Sequence, residues 1–425
     1  MHAENVDATY RARFGGRCRA HGVKDVVVRF NHVPGFGNND GVMTRSREPV
    51  SLPERRGTDD DRGLHVVMAT ARFPPLIGGT EAHVRELSSR LAARGHHVRV
   101  ITTVLDRSCV GEDVLDGVSV VRLRAFPPRN DLYFAPSLRR AILESPADIV
   151  HVQGYHTSVA PLAMAAARHA GRPYVVTFHS GGHSSRLRRA IRPLHWRAIR
   201  RQLLGAARLV GVSEHETEFF RSRLDLPSEL LVTIPNGVSE EFQDADSVPR
   251  QPHLVTTIGR LEAYKGHQKV IAALPAVRRE VPEVRLRVIG SGPHRFELQR
   301  LAARLDLADR VEFVAVDYGD RARMAALLRE AAVIALMSSY ESQGIVAYEA
   351  VAAGARVVVA DGSALTEIAR YPGVEVVTVH GGHHLEAALV RQLSEPPIRE
   401  RREVPTWNDT TDRVETLYRQ VLSAV

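Results

Sequence analysis

Lysine is nearly missing from this 425-residue chain: only Lys24, Lys265 and Lys269 occur among 57 basic residues, so arginine carries almost all of the positive charge. GC-rich codon usage explains such a bias better than dense arginine recognition of phosphate does, and it makes each remaining lysine worth placing. Cysteine is scarcer still. Cys18 and Cys109 are too few for a disulfide framework and fit a reducing compartment. No apolar run reaches the roughly 18 residues that a spanning helix needs, and the opening MHAENVDATYRARFGG lacks the apolar core of a secretory signal. Together these absences point to the cytoplasm. Zinc-finger spacing, an RRM signature and an aromatic-rich basic platform are also missing, so nucleic acid is not an expected partner.

What is present is the composition of a globular protein, 44% hydrophobic and 25% charged, with enough length for two cores because single cores stop growing near about 250–300 residues. The net charge of +8 favours anionic partners without choosing among them. Residues 1–62 mix Arg, Asp, Gly and Pro without lasting periodicity and read as a poorly ordered extension; an upstream start codon would explain them equally well. From Leu64 the chain alternates short apolar runs with helical segments. The first series of strand candidates is Leu64–Thr70, Val98–Val104, Val118–Leu123, Asp148–Val152, Tyr174–Phe178, Arg208–Val212 and Leu231–Ile234, with a first helix over Thr80–Arg94. Polar, proline-bearing sequence near 239–252 interrupts it. A second series follows at Leu254–Ile258, Arg285–Ile289, Val311–Val314, Val333–Met337, Val357–Ala360 and Val374–Val379, before a last helix near Asp409–Leu422. Strand–helix alternation predicts parallel sheets covered on both faces, hence an α/β chain of two doubly wound, Rossmann-like domains facing a cleft. The boundaries expected are 63–242 for the first domain, 243–252 for a linker, 253–405 for the second domain and 406–425 for a terminal helix.

Chemistry concentrates at strand ends. Gly259-Arg260 closes the first strand of the second series and Lys265-Gly266 follows, which sets two cations at a loop opening into a helix, a geometry suited to a diphosphate. Loop cations facing solvent are the bland account of that pair. Gly290-Ser-Gly292-Pro lets a ligand approach backbone closely, though most such turns are only turns. In Glu341-Ser-Gln-Gly344-Ile345-Val346-Ala-Tyr-Glu349, a helix starting at Gly344 would aim its amides at an anion or hydroxyl, and Glu349 one turn in could accept both hydroxyls of a ribose. Taken alone, Glu349 would be an ordinary helix residue and Glu341 a capping one.

In this order, Gly259-Arg260, Lys265-Gly266, Gly290-Ser-Gly-Pro293 and Glu341-x7-Glu349 resemble the GT-B retaining glycosyltransferases of family 4, over roughly residues 64–425. The resemblance implies a terminal helix that packs back toward the first domain. It implies that Arg260 and Lys265 neutralise a donor diphosphate, that Glu349 holds the nucleotide ribose and that Glu341 lies beside the transferred sugar. Gly259, Gly290, Gly292, Gly344, Ile345 and Val346 then line the donor. In the first domain, Gly78-Gly79 faces the donor phosphate and acceptor, and His179, in Val175-Val-Thr-Phe-His179-Ser180, sits near the donor sugar. His151-Val-Gln153 resembles a His-x-His segment with its second histidine replaced, and takes a minor acceptor-side or structural role. The implied reaction moves a hexosyl group from a UDP- or GDP-linked sugar to an acceptor hydroxyl of a glycan, lipid or small metabolite, with no metal and no cofactor beyond the nucleotide sugar as co-substrate.

Two departures bear on the donor: Gln343 stands where the family usually has Phe, and Asp361-Gly-Ser-Ala364 is an altered small-residue segment. Ser213-Glu-His-Glu216 reads as a capping box and Pro235-Asn236-Gly237 as a structural turn. Asp59-Asp60-Asp61 precedes the first strand and is not expected to bind metal. Between Arg186 and Arg208 stand eight arginines and no acid, on roughly helical apolar spacing, which suits either peripheral contact with anionic membrane or the solvated face of a core helix. Readings from other classes are an isomerase of the nucleotide-sugar 2-epimerase type and a non-catalytic sugar-nucleotide-binding partner protein.

Overall fold

A computed structural model describes residues 62–76, 78–127, 133–179, 186–243, 249–317, 319–378, 384–398 and 402–424, the side chains of 186–194 excepted. The N-terminal extension up to residue 61, including Asp59–Asp61, lies outside the described residues, as do residues 244–248 of the expected linker. The first half runs β1 (His65–Thr70), α1 (Gly79–Ala93), β2 (His97–Val104), β3 (Gly111–Leu115), β4 (Val118–Arg124), α2 (Ser137–Glu144), β5 (Ile149–Gln153), α3 (Val159–His169), β6 (Tyr174–Thr177), α4 (Arg186–Leu203), β7 (Arg208–Gly211), α5 (Glu214–Leu224) and β8 (Leu231–Thr233). The second runs β9 (Gln251–Ile258), α6 (His267–Glu280), β10 (Arg285–Ile289), α7 (Arg295–Arg304), β11 (Val311–Val314), α8 (Arg321–Glu330), β12 (Ala331–Leu336), α9 (Ile345–Ala352), β13 (Arg356–Ala360), β14 (Val374–Val377) and α10 (His384–Ser394), and the chain closes with α11 (Trp407–Ser423).

Strands such as Val66-Val-Met-Ala69 and Val357-Val-Val359 are fully buried because helices cover both faces of each sheet. The first sheet has the order β3-β4-β2-β1-β5-β6-β7-β8 and the second β11-β10-β9-β12-β13-β14. All pairings are parallel except β3 with β4. Strand order therefore reverses between β1 and β5 in one sheet and between β9 and β12 in the other, which opens a crevice at the carboxyl edge of each reversal.

The expected two-domain α/β architecture is present, with two differences. β3 is an antiparallel edge strand that apolar patterning missed, because four of its five residues are exposed. β9 already begins at Gln251, inside the expected linker 243–252, and the polar stretch before it contains the buried Phe242. The terminal helix packs back as the resemblance implied: Val414, Leu417, Tyr418 and Val421 join Val66, Met68, Leu87 and Val100 in one apolar cluster. Cys109 is buried in the short turn Arg107–Cys109, and Cys18 lies outside the described residues. Among the described residues no helix is long and apolar enough to cross a membrane.

Candidate active site

The carboxyl edge of the second sheet is built by loops that interlock through glycine. At Gly266 (φ 76°), a Cβ would lie 2.0 Å from the Met337 carbonyl, so only glycine lets the β9–α6 loop cross the end of β12 this closely. Gly290 (φ 143°) likewise lies against the carbonyl of Gly259, where a Cβ would come within 2.0 Å. The amide of Ser339 donates to the Tyr264 carbonyl at 2.8 Å and that of Leu261 to the Ser291 carbonyl at 2.9 Å, tying three neighbouring loops together. His267 fixes the first loop from beneath. It is buried and pushed down to about 4 by that burial, so it is neutral; its Nε2 donates to the Arg260 carbonyl at 3.2 Å while Nδ1 accepts from Thr257 Oγ1 at 3.0 Å.

The result brings Lys265 onto Glu341. Lys265 Nζ stands 2.6 Å from Glu341 Oε1, which also accepts from Ser338 Oγ at 2.8 Å, and both partners are mostly shielded, at 17% and 19% exposure. Arg260 is next along the same loop, 54% exposed, held 2.8 Å from Glu262 Oε1 and donating to the Tyr264 hydroxyl at 2.8 Å. Gly259 (φ 146°) and Gly292 (φ 156°) line this edge. Gly344 adopts φ 78° as the cap of α9, with no side chain satisfying the helix-start amides, and Ile345 and Val346 form the first positions of that helix. Glu349 is nearly fully buried and pairs with Arg321, which lies over the Phe242 ring. A ribose at Glu349 would therefore share that carboxylate with an arginine that no sequence motif marked. His267, Ser338 and Tyr264 were missed in the same way; only Tyr264 and His267 carried a hint, by flanking Lys265.

Facing this edge are the strand ends of the first sheet. Ser213 Oγ donates to the Ser342 carbonyl at 2.5 Å, and Glu367 Oε1 accepts from the His215 amide at 2.7 Å, so the two carboxyl edges meet. Gly78 is extended and Gly79 begins α1 with nothing within 4 Å of where a Cβ would lie. Glu81, two residues on, pairs with Arg72 at 2.5 Å, another cation at a strand end that the sequence reading passed over. His179 has φ 47°, unusual for a residue with a Cβ, and is 7% exposed; its Nε2 lies 2.7 Å from Gln153 Oε1, and its ring meets the edge of His83 at 4.4 Å. Burial, then the neighbouring His83, hold His179 well below the usual histidine range, so it is neutral.

Of the two roles expected of His151, acceptor-side or structural, its surroundings match the structural one. It is fully buried, and both ring nitrogens are used, Nδ1 with the Tyr418 hydroxyl at 2.6 Å and Nε2 with Thr177 Oγ1 at 2.7 Å. It ties α11 to the first sheet. Gln153, 4% exposed, supports His179. Surface cavities of about 230 Å³ (beside Arg99 and Arg140) and about 180 Å³ (beside Gln251 and Arg285) lie away from this edge.

Two doubly wound sheets with cations and carboxylates converging where their carboxyl edges meet define a GT-B class of protein. Residues 77–242 match Glycosyltransferase Family 4, and residues 238–403 match Glycosyl transferases group 1. A phosphatidyl-myo-inositol mannosyltransferase of Mycolicibacterium smegmatis is 31% identical over 338 residues, covering 76% of this chain and 83% of the relative. A glycogen synthase of Mycobacterium tuberculosis is 30% identical over 337 residues, covering 72% and 80%. Among solved structures, sucrose-phosphate synthase from Thermosynechococcus elongatus superposes with a TM-score of 0.68 at 21% identity, over 86% of this chain and 100% of that one, a likeness of fold. The chain belongs to glycosyltransferase family 4. It is a retaining glycosyltransferase that draws its sugar from a nucleotide-linked donor.

Proposed function

We propose that the chain transfers a hexosyl group from a UDP- or GDP-linked sugar to an acceptor hydroxyl, with the donor held in the crevice between β9 and β12 and no metal required. The observation that carries this reading is the contact of Lys265 with Glu341 at 2.6 Å, with Arg260 on the same loop, opposite His179. Negative charge grows on the diphosphate as the glycosidic bond breaks, so Lys265 and Arg260 stabilise the transition state more than the ground state. Gly79 and the start of α9 at Ile345 and Val346 offer backbone amides to the same charge, Glu349 takes the ribose, and Glu341 and neutral His179 bind hydroxyls of the transferred sugar. The leaving phosphate takes the acceptor proton in a front-side displacement, and closure of the two domains excludes water.

The mannosyltransferase relatives are named for phosphatidyl-myo-inositol, and the basic α4 supports peripheral contact of this chain with anionic membrane at the inner face. Its Trp196, Ile199 and Leu203 are buried in the first core, so contact would be electrostatic, through exposed residues such as Arg197 and Arg201, rather than by apolar insertion there. Incubation with a panel of UDP-, GDP- and dTDP-sugars in the presence of a chelator tests the proposal. Release of nucleoside diphosphate from a UDP- or GDP-sugar supports it. An epimerised donor would identify an isomerase instead, and binding without turnover a partner protein.

A further inference from the structure

Gln343 is buried to 1% exposure between the two halves of the molecule, where an apolar side chain would be the simpler choice. Its amide makes a two-bond pairing with one residue of the joint: Oε1 accepts from the Asn236 amide at 2.8 Å and Nε2 donates to the Asn236 carbonyl at 2.9 Å. Because a backbone amide only donates and a carbonyl only accepts, the orientation of the Gln343 side chain is fixed. Asn236 passes the contact onward. Its Oδ1 lies 2.5 Å from His83 Nδ1, and burial pushes His83 down to about 4, so the ring is neutral and this nitrogen carries its proton. The His83 ring in turn sets its edge against His179, which is bonded to Gln153. A continuous buried path thus runs from the loop that carries Glu341 to the histidine on the opposite edge. The same loop is held a second time by the bond from Ser213 to the Ser342 carbonyl.

We propose that Gln343 is a positioning residue for transfer, one that sets Glu341 and Gly344 in register with His83 and His179 across the domain joint. It touches neither the donor nor the acceptor. Of the groups assigned to the nucleotide, Arg260, Lys265, Glu349 and the amides of Ile345 and Val346 belong to the second half and only the Gly79 amide to the first, so nucleotide binding depends little on the pairing, whereas alignment of the sugar between the two halves depends on it. This rests on the donor site proposed above.

The test compares wild type with Gln343→Ala, Gln343→Glu and Gln343→Phe in three readouts: thermal stability, affinity for UDP and GDP alone by calorimetry, and kcat with KM for the donor that the wild type uses. The expected result is a fall in kcat of roughly 10- to 100-fold, as for two lost buried hydrogen bonds, with nucleotide affinity within about twofold of wild type. Gln343→Glu should lose as much as Gln343→Ala, since a carboxylate set against the Asn236 carbonyl cannot replace the donated bond. A parallel loss of nucleotide affinity and kcat would overturn the proposal, by making Gln343 part of the donor pocket. Unchanged kcat in all folded variants would overturn it too. Donor turnover by the wild type, and its loss in Lys265→Ala, report separately on the donor site, so the two readings fail in different ways.

Discussion

Replacing Lys265 with alanine isolates the electrostatic part of the mechanism. The ammonium is 17% exposed and its nearest anion is Glu341 Oε1 at 2.6 Å, so the substitution removes one cation from a shielded loop and leaves one carboxylate with its Ser338 bond. A diphosphate charge about 4 Å from that ammonium would interact by roughly 4 kcal/mol at an effective dielectric near 20. Only the share that grows between ground state and transition state accelerates the reaction, which is about half or more for a leaving group gaining a full charge. The expected loss is therefore about 2–4 kcal/mol, or roughly 30- to 1000-fold in kcat/KM. Stability should fall by about 1 kcal/mol or less, because a partly exposed ion pair contributes little. Steady-state release of nucleoside diphosphate, with near-ultraviolet circular dichroism for the fold, measures both. A folded Lys265→Ala protein within threefold of wild-type kcat/KM would refute the reasoning.

Stability should also depend on acid in a defined window. Burial pushes His83 and His267 down to about 4 and His151 to about 3, whereas the unfolded chain takes protons near 6.5. The folded state therefore loses stability as pH falls from about 6.5 toward 4, by up to about 1.4 kcal/mol per pH unit for each histidine; a melting temperature that stays flat between pH 7 and 4.5 would contradict this. Gly266→Ala should lower the melting temperature and donor turnover together, since its Cβ would meet the Met337 carbonyl at 2.0 Å and shift Lys265. Tyr418→Phe removes the hydroxyl that engages His151 at 2.6 Å, and should cost about 1–3 kcal/mol in a denaturant titration while leaving nucleotide affinity unchanged.

Much of the fold is legible because parallel strands buried on both faces must be apolar along their whole length. Val66–Ala69 and Val357–Val359 announce themselves for that reason, and the exposed β3 does not. The cationic and acidic loops of the second sheet are legible because their spacing follows strand ends. Partners distant in sequence are not. Which of its two expected roles His151 plays cannot be read until Tyr418, 267 positions away, is found on its ring, and Arg321 is one arginine among many until it meets Glu349. Gln343 stands out in sequence as a departure from the family pattern; what it binds becomes visible only once the joint at Asn236 is folded against it.

The most direct measurement of the central claim is a crystal structure with UDP or GDP bound. The diphosphate is expected between Arg260 and Lys265 at the carboxyl edge of β9, with Lys265 turned from Glu341 toward phosphate oxygen and the ribose at Glu349. A diphosphate bound elsewhere, with the Lys265–Glu341 contact intact and the crevice between β9 and β12 empty, would contradict it.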